Sequence, residues 1–190
     1  INSLVVFHSD GVQAFGKIKV NLIDLGVDLY SISAHKIYAP LGVAGLWIKK
    51  GVVLDALLVG GGQEEGLRSS TENVAGALAF AFSVNKVVSE LEQNYKVVLG
   101  YKNKFLNKIK NSDISNYLTI NSTENGSPYV VSLTFKDIKG EVLMYSLEAD
   151  GILISTGSAC SSKKAGNRTL EAMGKSQSDI IGSVRVSFSP

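Results

Sequence analysis

A chain of 190 residues, 45% apolar and 19% charged, has the material to bury a sizeable core in one or two domains and is too apolar for disorder. A formal net charge of +2 is too mild to argue for nucleic acid, and the lysines from Lys86 to Lys110 are spread as on a solvated helix face. One cysteine excludes an internal disulfide, two histidines argue against a zinc site, and no signal peptide or membrane-length apolar run is present; a cytoplasmic protein without metal or membrane partner is expected.

In chain order, the apolar run Leu4–Phe7 predicts a buried strand that delivers His8, Ser9 and Asp10 at its carboxyl end. Asn21–Leu25 predicts a helical turn closed by Gly26. Asp28–Ser33 alternates as a strand leading to Lys36, and Val43–Ile48 predicts a third strand between the Pro40/Gly42 and Gly51 turns. Strands with short helical links fit part of an α/β sheet, in which ligands bind beyond the carboxyl ends. Gly60–Thr71 is a glycine-rich loop, and the spacing of Ser69 and Glu72 predicts a capping box for the next helix. Val74, Leu78, Ala81, Phe82, Val88 and Leu91 place an apolar stripe along that helix, and the pattern continues towards Ile109 as one bridging helix or two consecutive ones.

Beyond Lys110 the texture changes. Strands at Tyr117–Ile120 and Tyr129–Phe135 flank a turn cluster at Asn121–Pro128, followed by a helix at Gly140–Leu147 and a strand at Ile152–Ser155. Short helices at Arg168–Met173 and Ser178–Gly182 lead to an alternating strand at Val184–Ser189. The expected division is residues 1–92, part of a larger α/β domain with its bridging helix, and residues 93–190, a small α+β domain. The chain starts at Ile1 and its only methionines are Met144 and Met173, so it reads as the interior of a longer protein.

Lys36 directly follows a strand, and Asp10 ends the strand before it. Such a pair can hold an aldehyde cofactor: the amine forms a Schiff base, and the carboxylate keeps a pyridine nitrogen protonated so that the ring withdraws electrons. Cys160 stands among small polar residues ahead of Lys163 and Lys164, a setting that favours the thiolate. Arg185 shares a polar strand face with Ser187 and Ser189, where it can meet a carboxylate through a bidentate pair. Taken singly, each feature is ordinary. A lone cysteine packs as a small hydrophobe, Gly60–Thr71 lacks the Gly-Lys-Ser/Thr of a P-loop, and His8 has no evident partner.

Taken together they are specific. His8–Lys17 (His-Ser-Asp-Gly-Val-Gln-Ala-Phe-Gly-Lys), Gly26–Lys36, Gly60–Glu64, Arg68–Asn73 (Arg-Ser-Ser-Thr-Glu-Asn), Ser155–Ser162 (Ser-Thr-Gly-Ser-Ala-Cys-Ser-Ser) and Val184–Ser189 resemble the pyridoxal-phosphate-dependent cysteine desulfurases of the class V aminotransferase-like group. The cysteine loop resembles the subgroup serving iron–sulfur cluster assembly. The resemblance implies the C-terminal part of a fold-type I large domain at residues 1–92, followed by the small domain. It implies that Lys36 attaches the cofactor and moves protons, Asp10 pairs with the ring nitrogen, and Gln13 bonds the phenolic oxygen. Ser33 and His35 would hold the phosphate, with Thr71 reaching in from the other subunit of a homodimer. Cys160 would take sulfur from L-cysteine, leaving L-alanine and a persulfide for an acceptor or scaffold protein, while Arg185 grips the substrate carboxylate. The neighbouring readings are a selenocysteine lyase-like enzyme and a catalytically silent interaction fragment. The family's N-terminal segment and its extension past the final strand are absent. Ser70 stands where glycine is usual, and Lys163–Thr169 departs from the family pattern.

Overall fold

The computed structural model describes residues 5–156 and 167–190. The chain divides into two compact units, Ile1–Asn94 and Tyr95–Pro190.

In the first unit, β1 (His8–Asp10), β2 (Leu29–Ser33) and β3 (Ala44–Ile48) form one sheet in that order, with β1 parallel and β3 antiparallel to β2. The first strand therefore lies on the polar residues and not on Leu4–Phe7. Pairing with β2, from His8↔Leu29 to Asp10↔Ser31, defines it, whereas Val5, Val6 and Phe7 stay more than half exposed. Phe7 instead anchors the entry to β1: its N–H donates to Asp28 Oδ2 at 3.0 Å, and its carbonyl accepts from the Asp28 and Leu29 N–H groups. Lys49 Nζ meets Asp28 Oδ1 at 3.0 Å. The Phe7 N–H first, and then Lys49, hold the Asp28 carboxyl below its ordinary range. Between β1 and β2, α1 (Leu22–Leu25) starts where Asn21 accepts from the Ile23 N–H and stops at Gly26, whose φ of 65° is the left-handed conformation that closes a helix.

Register sorts the side chains into two faces. Ser9, Tyr30, Ile32, Gly45 and Trp47 share one face, on which α2 (Val74–Ser89) packs; glycine at position 45 leaves room for the Ile32 side chain, with Phe80 of that helix beside it. His8, Asp10, Ser31 and Ser33 share the other face with Ala44 and Leu46, and His8, Asp10, Ala44 and Leu46 are exposed there.

The cap of α2 is Asn73, which accepts from the Gly76 N–H at 3.0 Å, and not the Ser69/Glu72 box, because the helix begins only at Val74. The helix docks through the side carrying Gly76 and Val87. The predicted stripe faces away, with Val74, Leu78 and Phe82 62%, 68% and 72% exposed. After Glu90 a second helix, α3 (Leu91–Lys110), follows, so the long pattern is two helices. Among the described residues no single helix is long and apolar enough to cross a membrane.

The second unit is built on an antiparallel sheet, β4 (Leu118–Ile120), β5 (Val130–Phe135) and β6 (Ser183–Ser187), with β5 in the middle. Leu118, Val131, Leu133 and Val184 cluster with Ile109 of α3, and Phe105 meets Phe188 edge-on at 5.6 Å. Lys102, only 2% exposed, is accommodated because its ammonium donates to the carbonyls of Gly126 at 3.1 Å and Glu124 at 3.4 Å. Among the described residues three further helices follow in sequence, α4 (Gly140–Ala149), α5 (Arg168–Ala172) and α6 (Gln177–Ile181), the last opened by a Ser176/Asp179 capping box. The strand expected at Ile152–Ser155 reduces to a single bridge, Ser155 to Arg185; Ile152 and Leu153 are exposed and form no ladder.

The opposite face of this sheet is polar. Ser183 Oγ donates to the Asp179 carbonyl at 2.6 Å, which makes the 2.7 Å Thr134 contact a donation from Thr134 Oγ1 to Ser183. Asn121 Nδ2 then donates to Thr134 Oγ1 at 2.8 Å. Thr134→Val keeps the shape of the side chain but strips both neighbours of a buried partner, so it is expected to destabilise the unit by about 2 kcal/mol. Denaturant titration checks this; an unchanged midpoint would remove the chain of bonds from the stability argument.

Candidate active site

Because β1 and β2 run parallel, their carboxyl ends open on the same edge, where ligands of α/β sheets bind. Asp10 closes β1. Its Oδ1 accepts from the Val12 N–H at 2.9 Å, which turns the chain into the following loop. Gln13 lies in that loop. Two residues beyond the Asp10↔Ser31 pair, β2 ends at Ser33 and the chain enters a 3-10 turn, Ala34–Ile37. Ala34 and Ile37 are buried, so the turn is fastened by those two and presents His35 and Lys36 outward. Ser33 Oγ and His35 Nδ1 share a hydrogen bond of 2.8 Å.

Five of the expected residues, Asp10, Gln13, Ser33, His35 and Lys36, thus stand at one end of one parallel strand pair. Thr71 lies in the exposed loop ahead of α2, its carbonyl accepting from Ser70 Oγ at 3.4 Å. Ser70 does not have the positive φ that only glycine takes easily, so serine in place of glycine introduces no backbone strain there. Arg185 belongs to the second unit. Its N–H and carbonyl pair with Ser155, and its Nε is buried without a hydrogen-bond partner among the described residues. Cys160 and its loop lie outside the described residues.

Three neighbours escaped the sequence reading. His8, on the same face as Asp10, bonds Ser31 Oγ through Nε2 at 2.8 Å. Tyr30, 3% exposed, lies against Gly11, and burial followed by the nearby Asp10 carboxylate pushes its phenol up. Lys17 Nζ donates to Gln13 Oε1 at 2.9 Å; partial burial and then the Lys36 charge lower its ammonium. Strand pairing brings His8 and Tyr30 into place, and the coiled loop after Asp10 brings Lys17 to Gln13.

A family profile described as aminotransferase class-V matches residues 2–190. The chain belongs to the class-V aminotransferases. Among relatives within that family, it is 37% identical over 158 residues to a cysteine desulfurase IscS of Dictyoglomus turgidum, covering 83% of this chain and 40% of the relative. It is 36% identical over 188 residues to the IscS of Methanosarcina thermophila, covering 97% of this chain and 45% of the relative. Among solved structures, a NifS-like protein superposes with a TM-score of 0.87 at 34% identity over 99% of this chain and 48% of that one. The NifS-like protein of Rickettsia africae gives 0.85 at 27% identity over 97% and 48%. The chain spans a little under half the length of these relatives.

Class-V aminotransferases use pyridoxal phosphate, and the donor set fits that group. A carboxylate suits its ring nitrogen, an amide its phenolic oxygen, a hydroxyl and imidazole its phosphate, and an amine its aldehyde. Among the described residues no three His, Cys, Asp or Glu side chains cluster.

Proposed function

We propose that this chain carries the cofactor-holding and substrate-gripping residues of a cysteine desulfurase acting in iron–sulfur cluster assembly or another sulfur transfer. The observation that carries the reading is the placement of Asp10 and Lys36 at adjoining carboxyl ends of a parallel strand pair, with Gln13, Ser33 and His35 around them. Bound there, pyridoxal phosphate supplies an electron sink that stabilises negative charge at the substrate's α-carbon. Asp10 keeps the ring nitrogen protonated, and Ser33 with His35 holds the phosphate, joined by Thr71 of a second subunit. The Lys36 amine would hold the cofactor through its aldehyde and would carry a proton to or from the substrate carbon. The Arg185 guanidinium grips the substrate carboxylate through a bidentate pair. Cys160 then takes the sulfur. The balance is one L-cysteine and one protein thiol in, one L-alanine and one protein persulfide out, and the persulfide passes to an acceptor or scaffold protein.

The experiment is to add pyridoxal phosphate, reduce with borohydride and map the modified peptide by mass spectrometry. A label confined to Lys36 is expected; scattered or absent labelling would overturn the reading. For sulfur transfer, Cys160→Ala in the full-length protein is expected to leave less than about one hundredth of the sulfide release from cysteine. Release at the parent rate would remove Cys160 from the mechanism.

A further inference from the structure

Gln13 can serve an oxygen of the cofactor only by offering its nitrogen, and an amide side chain can equally turn round and offer its own oxygen. Lys17 removes that freedom. A lysine ammonium only donates, so the group it meets at 2.9 Å is the amide oxygen, Oε1, and the NH2 end is directed away from it.

The pair lies at the surface, but the backbone around it is fixed. The Gly11 carbonyl accepts from the Ala14 and Phe15 N–H groups, and the Ala14 carbonyl accepts from those of Lys17 and Ile18, which coils the loop so that positions 13 and 17 come together. The coil is pressed against the site through Gly16. With φ at 72°, a Cβ there would stand 2.7 Å from Ile37 and 3.0 Å from Val87 of α2. Ile37 is the residue after Lys36 and is buried, so the loop bearing Lys17 and the turn bearing Lys36 are packed together. The lowered Lys17 ammonium, with Lys36 among its causes, agrees with that placement.

We propose that Lys17 is a positioning residue: it fixes the Gln13 amide with its nitrogen facing the cofactor's phenolic oxygen. The inference rests on the cofactor reading above and adds a residue that makes no contact with the reacting atoms. The test compares the affinity of the chain for pyridoxal phosphate with that for the 3-deoxy analogue, which lacks the phenolic oxygen. Lys17→Met is expected to weaken pyridoxal phosphate by about tenfold while changing the analogue by less than about twofold, the size of one hydrogen bond to a charged oxygen. Lys17→Arg, which keeps donors at the same place, should recover most of the loss and shows that the fold tolerates change there.

Equal weakening of both ligands, or no weakening of either, would overturn the positioning role. A parent chain that binds neither ligand is a different pattern; it overturns the cofactor reading itself and this inference with it.

Discussion

Lys36→Ala is expected to eliminate the borohydride-fixed pyridoxyl label while leaving the fold untouched. The turn that carries Lys36 is secured by Ala34 and Ile37, 0% and 1% exposed, and closed by Tyr38 in the left-handed conformation at φ 65°. None of these contacts involves the Lys36 amine, so truncation should change stability by less than about 0.5 kcal/mol. The loss is therefore chemical. The Lys17 amine is engaged with Gln13 and belongs to a separate loop, so it does not take over the label. Mass mapping after reduction checks the first half of the expectation and a denaturation midpoint the second. A label of parent intensity at another lysine would show that attachment at this site is not specific to position 36.

Gly11→Ala should do the opposite, damaging the fold at the residue that follows Asp10. The added methyl would overlap the Tyr30 ring, with its Cζ, Cε1 and Oη the nearest atoms. The ring has nowhere to go: Tyr30 is 3% exposed and sits on β2, the middle strand, hydrogen-bonded on both edges. Overpacking of this kind costs about 3 kcal/mol, a large part of a small unit's stability. Adding Tyr30→Leu removes the overlapping atoms and should recover part of the loss. If Gly11→Ala proves neutral in denaturant titration, the close approach of Tyr30 to the Asp10 turn is wrong.

Much of this architecture is legible in the sequence where local chemistry decides it. Asn21 and Gly26 bound α1 as their residue types require, β2 falls on its alternating run and β3 on the run between its turns, and the stretch from Val74 to Lys110 is helical on both sides of a break at Glu90. What was not legible is decided at a distance. The β1 strand follows its partner's register and not its own hydrophobicity, so it settles on His8–Asp10. Periodicity groups Val74, Leu78 and Phe82 on one side of α2, but does not say that the helix docks by the side carrying Gly76 and Val87. Ser69 and Glu72 have the right spacing for a cap, yet the helix starts beyond their reach. The site shows the same division. Asp10, Gln13 and Lys36 stand in recognisable strings, whereas the partners of His8 and the buried Tyr30 emerge only when β1 lies beside β2.

The position of β5 in the second sheet has a consequence for how the chain acquires its core. Val131 and Leu133 need β4, which is close in sequence, but also β6, whose pairing joins Val130 to Ser187. During synthesis the β4–β5 hairpin is therefore complete long before Val184 arrives to cover it. Pairing at such separation is slow to nucleate, and the half-covered hairpin presents an open strand edge in the meantime. The strand that closes the edge is the one bearing Arg185. Burial of the core and delivery of the guanidinium are thus one folding event, and a chain that has not formed β6 has neither.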